Sequence, residues 1–379
     1  MDFRFSAEDE AFRTEVRGFI HKEFPKVRDG ESFTRKLAEK GWLTMSWPTE
    51  YGGEQASHIR QLVYNEEMAY NRAPGQTMGT DRVGPTIILF GTDEQKAEFL
   101  PRIARDELAW CQGFSEPGSG SDLASLQTRA IRDGDSYVVN GQKIWTSGAQ
   151  RADYMILLAR TDPDAPKHRG ISYFLVDMKS PGVTVRPLVQ MTGRAEFNEV
   201  FFEDVRVPAH RMIGELNRGW YVSTTTLDFE RSGIGRVIAS LRTFEELVAY
   251  TKKTPSGQPG AATLFDVTPI RRELADIALG YYVGRLMSYR VAWMQSKKLI
   301  PNYEASMAKT FGTELQQRMA RVAVNTLGLS GQLTGGAQAP LQGRIADFYL
   351  QSVSLTIAAG TSEVNRNIIA TRGLGLPRA

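Results

Sequence analysis

The chain has 379 residues, 41% apolar and 23% charged, enough length for two or three structural units around a large core. Its 46 basic and 43 acidic residues leave a net charge of only +3, without a basic run of five, which argues against a nucleic-acid partner. One cysteine, Cys111, excludes a disulfide within the chain, and His21, His58, His168 and His210 lack metal-ligand spacing. No segment reaches the roughly 18 apolar residues of a membrane span, so the expectation is a cytoplasmic protein without a metal site or stable membrane insertion.

From Ser6 to about Leu108 the apolar period is helical. Ser6 and Asp9 have capping-box spacing, and Phe12, Val16, Phe19 and Ile20 then share one face. The stretch from Gly41 to Gly53, with Trp42, Trp47 and Pro48, breaks the period and reads as a packed loop. Further helices are expected from Ser57 to Tyr70, from Gly84-Pro85 and from Gly91 onward. Between about Ala109 and Pro208 the period becomes two. Asn140-Gly141 is expected to close a hairpin between Tyr137-Val138-Val139 and Lys143-Ile144-Trp145. Strands follow at 154–159, 171–176, 183–185 and 199–202. From about Gly219 the helical period returns, with Met307, Phe311, Leu315 and Met319 on one face and Lys309, Glu314 and Gln317 on others. The segment from Thr254 to Gly260 reads as a loop between two long helices.

Six motifs in order carry a resemblance. They are Trp47-Pro48 with Gly52-Gly53, the loop from Phe114 through Ser115 to Asp122, Asn140 to Trp145, Asp204 to Pro208, Phe311 to Glu314, and Gly360-Thr361-Ser362-Glu363 through Arg366. Together they resemble acyl-CoA dehydrogenases over nearly the whole chain, closest to bacterial members acting on CoA thioesters of sterol side chains. The resemblance implies an α+β fold: an N-terminal helical domain (1–108), a middle β-barrel or sandwich domain (109–215) and a C-terminal four-helix bundle (216–379). It also implies α,β-dehydrogenation of an acyl-CoA to the trans-2-enoyl-CoA, with FAD as cofactor and an electron-transfer flavoprotein as electron acceptor.

By the same resemblance, Phe114 and Ser115 meet the polar edge of the flavin and Ser121 the flavin–CoA boundary. Trp145 lies against the ring and Ser147 near N5. Read from the residues alone, Trp145 would be a cross-strand core aromatic, and Glu116 and Asp122 turn or cap residues. Gly360 and Thr361 match positions approaching the cofactor, and Glu363 one near its ribose. In the family's late Tyr-Glu-Gly-Thr motif the Glu is the base, but here that position is Ala359. Its backbone N–H can still receive charge developing on the thioester oxygen. Glu230, within Asp228-Phe229-Glu230-Arg231, is the candidate base, since some members carry the catalytic Glu on that turn. The bland alternative is an exposed helix carboxylate. Arg231 matches a residue orienting the substrate, and Asp228 one near CoA.

Two segments depart from the family pattern. An Arg-x-x-Phe-Gly element that grips the flavin pyrophosphate of a neighbouring subunit is replaced by the run from Tyr250 to Pro259, where Lys252 and Lys253 offer only point charges. The Gln-x-x-Gly-Gly region reads Asn325-Thr326-Leu327-Gly328-Leu329-Ser330-Gly331. The expected assembly is therefore a homotetramer or an α2β2 form with a related chain. The alternative functions are a non-catalytic flavin-binding subunit of such a heteromer, or a family member with divergent chemistry.

Overall fold

The computed structural model describes residues 4–27, 30–228 and 233–377, with only the backbone described at 227 and 228. The first helices are α1 (Ala7–Glu23), α2 (Gly30–Glu39), α3 (His58–Tyr70), α4 (Gly84–Phe90) and α5 (Asp93–Ala104). The strands are β1 (Trp110–Gly113), β2 (Arg129–Asp133), β3 (Ser136–Lys143), β4 (Tyr154–Arg160), β5 (Ile171–Asp177), β6 (Val183–Leu188), β7 (Phe197–Pro208) and β8 (Met212–Ile213). Then come α6 (Gly219–Asp228), α7 (Ile234–Ile238), α8 (Leu241–Thr251), the short strands β9 (Pro255–Gln258) and β10 (Ala261–Thr263), α9 (Thr268–Ser296), α10 (Tyr303–Leu327), α11 (Arg344–Leu355) and α12 (Ser362–Ile368). Helices, strands and helices in that order make the α+β class expected from the periodicities.

Residues 29–56 and 75–230 form one compact unit. Its sheet runs β6-β7-β3-β2-β4-β5-β8, with β1 parallel to β4. Val139, Val200, Phe202 and Val205 from β3 and β7 share a core with Met155, Leu157, Phe174 and Val176 from β4 and β5. The other face of β4 and β5 (Ile156, Leu158, Ile171, Tyr173, Leu175) packs with Val83, Ile87, Phe99, Leu100 and Ile103 from the helical side. Both faces of these strands are covered, so they read as unbroken apolar runs rather than as alternation. The 41–53 loop belongs to this layer. Trp47 is buried there and its indole N–H donates to Thr80 O at 3.0 Å.

Two local expectations are overturned. Asn140-Gly141 does not turn: β3 runs straight through it, with Asn140 opposite Arg129 and a register shift against β7 between Val139 and Gly141. Gly141 has φ 149°, outside the geometry of a tight hairpin. A Cβ on it would stand 2.6 Å from Thr128 Oγ1 and 2.7 Å from Thr128 Cα. The glycine thus serves close approach at a bulge. The hairpin lies earlier, at Gly134-Asp135 between the paired Asp133 and Ser136, with Gly134 at φ 58°. The 254–260 segment is not a plain loop either, since it contains β9, which pairs antiparallel with the following β10.

The second unit comprises residues 1–28, 57–74 and 231–379. Leu62 of α3 shares a core with Val237, Ile238, Leu274, Ile277, Tyr281, Leu315 and Met319. Ser6 caps α1, its Oγ accepting from Asp9 N–H and donating to Asp9 Oδ2. Glu66 and Glu67 of α3 are buried, yet both are paired: Arg13 Nη1 reaches Glu66 at 2.7 Å and Glu67 at 3.1 Å, and Arg17 holds Glu67 through two bonds of 2.8 and 2.9 Å. Buried carboxylates need such partners, so this network fixes how α1 lies on α3.

Candidate functional site

In the β-containing unit, the segment after β1 and the end of β3 are tied by a buried ion pair. Lys143 is fully buried, and its Nζ donates to Glu116 Oε1 at 2.8 Å and to Phe114 O at 3.0 Å. Glu116 also accepts from the N–H groups of Gln127 (2.6 Å) and Thr128 (2.9 Å). Burial alone would raise its carboxyl, but the Lys143 charge and these donors hold it below the ordinary range. Burial pushes the Lys143 ammonium down to about 8 against the pull of Glu116. Glu116 is therefore a buried structural anchor rather than the turn or cap residue its local sequence suggested. Its pair with Lys143 is one that sequence reasoning missed.

The anchor brings Phe114 and Ser115 beside the chain leading to Trp145, since Ile144 N–H donates to Ser115 O at 2.9 Å. The Phe114 ring is buried edge-on to Tyr173, which leaves its backbone rather than its side chain for a ligand. Trp145 is no core aromatic: it follows β3, has φ 60° and is 60% exposed, with only an edge contact to Phe197 at 6.2 Å. A large side chain held outward on a left-handed backbone is the kind of strain that marks ligand-contacting positions. Buried Asn198 fixes the segment behind it, accepting Thr146 N–H at its backbone (3.1 Å) and donating through Nδ2 to Thr146 O (2.9 Å). Ser147 is exposed one residue further on. Ser121 is exposed in a bend, and the neighbouring Asp122 pairs with Lys167.

In the helical unit, Ala359 and Gly360 stand at φ 54° and 85°, an exposed left-handed pair between α11 and α12. Among the described residues their two N–H groups have no acceptor. The Gly360 carbonyl, in contrast, accepts from Asn365 Nδ2 at 2.9 Å and from Lys309 Nζ at 2.6 Å. Thr361 caps α12, accepting Val364 N–H at 3.2 Å. Backbone donors at that helix start, with the Thr361 hydroxyl, hold the exposed Glu363 carboxyl below its usual range. Thr361 and Glu363 line a depression of about 340 Å³ with Glu314, Thr356, Ile357 and Arg366. Lys309 and Asn365 were also missed. Lys309 stands two residues from both Met307 and Phe311, away from the apolar face they mark, so the local pattern carried no signal of its burial.

Asp228 ends α6 without a described side chain, while Glu230 and Arg231 lie outside the described residues. Within the β-containing unit, the exposed indole and the polar segment held beside it suit a flat ligand. Within the helical unit, taken by itself, the left-handed turn, whose two amides have no acceptor among the described residues, suits a polarised carbonyl. Among the described residues no cluster could hold a metal, and no helix is long and apolar enough to cross a membrane.

Models of the acyl-CoA dehydrogenase N-terminal, middle and C-terminal domains match residues 6–107, 111–205 and 217–374. The chain belongs to the acyl-CoA dehydrogenase family, oxidoreductases acting on the CH–CH group. It is similar to acyl-CoA dehydrogenase IpdE1 of Mycobacterium tuberculosis, 36% identical over 390 residues that span 97% of this chain and 98% of that protein. Among solved structures, the Tcur3481-Tcur3483 steroid ACAD is 33% identical with a TM-score of 0.91 over 100% of both chains. The ChsE4-ChsE5 complex from Mycobacterium tuberculosis is 36% identical with a TM-score of 0.88, again over 100% of both.

Proposed function

We propose that this chain oxidises an acyl-CoA thioester to the trans-2-enoyl-CoA, with FAD as cofactor, Glu230 as base and an electron-transfer flavoprotein as electron acceptor. The observation that carries the cofactor reading is Trp145, an indole held outward by a strained backbone beside the Phe114–Ser115 segment. Phe114, Ser115, Trp145, Ser147, Gly360, Thr361 and Glu363 would hold FAD, with Ser121 at its boundary with CoA. Bound there, FAD supplies the acceptor for the hydride that leaves Cβ, a task no side chain can perform.

The remaining work falls to the chain itself. The Ala359 N–H donates to the thioester carbonyl oxygen and stabilises charge as it develops, and the loss of a Glu side chain at that position leaves this backbone donor intact. Glu230 takes the α-proton, Arg231 orients the acyl side and Asp228 lies toward CoA. Ala358 and Ala359 replace the larger Tyr-Glu pair of the family, leaving room for branched or ring-bearing acyl groups. The steroid name of the Tcur3481-Tcur3483 neighbour supports that class of substrate. The segmentation 1–108, 109–215 and 216–379 and a cytoplasmic location complete the proposal.

The test is Glu230→Gln, which keeps shape while removing proton affinity. FAD and thioester binding should persist, while flavin reduction falls by about 10²–10⁴-fold. Near-normal reduction would remove Glu230 from the mechanism. The second reading, a non-catalytic subunit that lends flavin-binding surface, is favoured by the two-chain names of both neighbours. Flavin reduction by acyl-CoA in the purified chain alone would exclude it.

A further inference from the structure

We propose that Lys309 is a positioning residue for thioester activation: its side chain locks the Gly360 carbonyl, and so keeps the N–H groups of the Ala359–Gly360 turn available to the substrate carbonyl. The inference rests on the activity proposed above.

Lys309 lies on α10 with 5% of its surface exposed, between Ala308 and Thr310, both also buried. Burying an ammonium is costly unless something accepts from it. The expected compensation, a carboxylate partner, is absent among the described residues. Nearby Glu314 is engaged with Arg366 at 2.8 Å, and Lys309 Nζ donates instead to Gly360 O at 2.6 Å. The turn that receives it needs such support. Alanine in the left-handed region costs about 1 kcal/mol, and a strained pair persists only where its surroundings over-determine it. Asn365 provides the other half of the clamp, donating through Nδ2 to both Gly360 O (2.9 Å) and Thr361 O (3.0 Å). A Cβ at Gly360 would stand 3.0 Å from that Nδ2, so the glycine is what lets Asn365 close on the turn. With Gly360 C=O doubly held, the peptide units before it are fixed while their N–H groups have no acceptor among the described residues.

Three charged groups face the ammonium: Arg236 on α7, Glu314 on α10 and Glu363 on α12. Burial, then Arg236, lowers Lys309 to about 8, against the pull of the two carboxylates. At neutral pH the donor is therefore cationic and its bond charge-assisted. As pH rises through about 8 the charge is lost and the bond weakens.

The experiment reads the substrate carbonyl rather than turnover. The holoprotein is loaded with an enoyl-CoA, and the thioester C=O stretch is measured by Raman or infrared difference spectroscopy. Wild type should shift the stretch to lower frequency, and the shift should shrink with a midpoint at about pH 8. Lys309→Met should melt and bind FAD like wild type yet lose most of the shift, with flavin reduction about 10- to 100-fold slower. Lys309→Gln, which keeps a donor without the charge, should be intermediate, and it decides the matter if the Met variant does not fold. An equal shift in wild type and variants, or a shift constant across that pH range, overturns the proposal. Normal flavin reduction by Glu230→Gln, together with a carbonyl shift still lost in Lys309→Met, would sink the proposed base and leave Lys309 standing.

Discussion

Trp145 and Trp47 are both tryptophans of the recognised motifs, and their surroundings separate them. Trp47 is enclosed and satisfied, its N–H bonded to Thr80 O, so its value is packing. Trp145 has little to pack on and a backbone conformation that costs on the order of 1–3 kcal/mol. Trp145→Gly should therefore leave thermal stability unchanged or raise it, because glycine adopts φ 60° without strain. If the indole lies against the flavin, the same substitution should weaken FAD binding about tenfold, the equivalent of about 1.4 kcal/mol of ring contact. A thermal melt beside a FAD fluorescence titration measures both. A large fall in melting temperature with undiminished FAD affinity would return Trp145 to the role of a core aromatic.

Between elements, the Glu116–Lys143 pair joins the segment after β1 to the end of β3. Removing one partner of such a pair leaves an uncompensated buried charge. Lys143→Met should therefore cost about 3–5 kcal/mol, and the double variant with Glu116→Gln less than the sum of the two single losses. The pair also carries a pH signature. Glu116 is held below its ordinary value of 4.5, so the folded state binds its proton less readily than the unfolded chain. Its stabilising contribution is complete above about pH 4.5 and is lost as pH falls through the lower folded value. Urea denaturation across that acid range should show a steeper loss in wild type than in Glu116→Gln. Parallel curves would mean that the carboxyl does not titrate differently on folding.

For the whole molecule, assembly turns on the segment after α8. Lys252 was a candidate for gripping a flavin pyrophosphate, yet its Nζ lies over the Phe265 ring at 5.0 Å, and the following residues form the β9–β10 hairpin. An ammonium engaged on an aromatic face is poorly placed to replace a bidentate guanidinium. A flavin site completed by a second copy of this chain should therefore be weak, which favours the α2β2 alternative with a related chain over the homotetramer. Native mass measurement with a flavin count checks it. A homotetramer carrying one flavin per chain would exclude the mixed form.

The order of helices, strands and helices follows from local periodicity, because a side chain's neighbours three, four or two positions away decide which face can be buried. The motifs likewise placed Trp145 and the Ala359–Gly360 turn among the positions of interest from residue identity alone. Other features depend on groups distant in the chain. Asn140-Gly141 has the composition of a turn, yet Thr128 packed against Gly141 and pairing on both edges of β3 draw it into a strand, since a turn preference is weaker than a completed ladder. Lys309 reads locally as one more solvent-facing lysine. Only the packing of α10 against the late turn, 51 residues away, buries it and gives its charge a single carbonyl to hold.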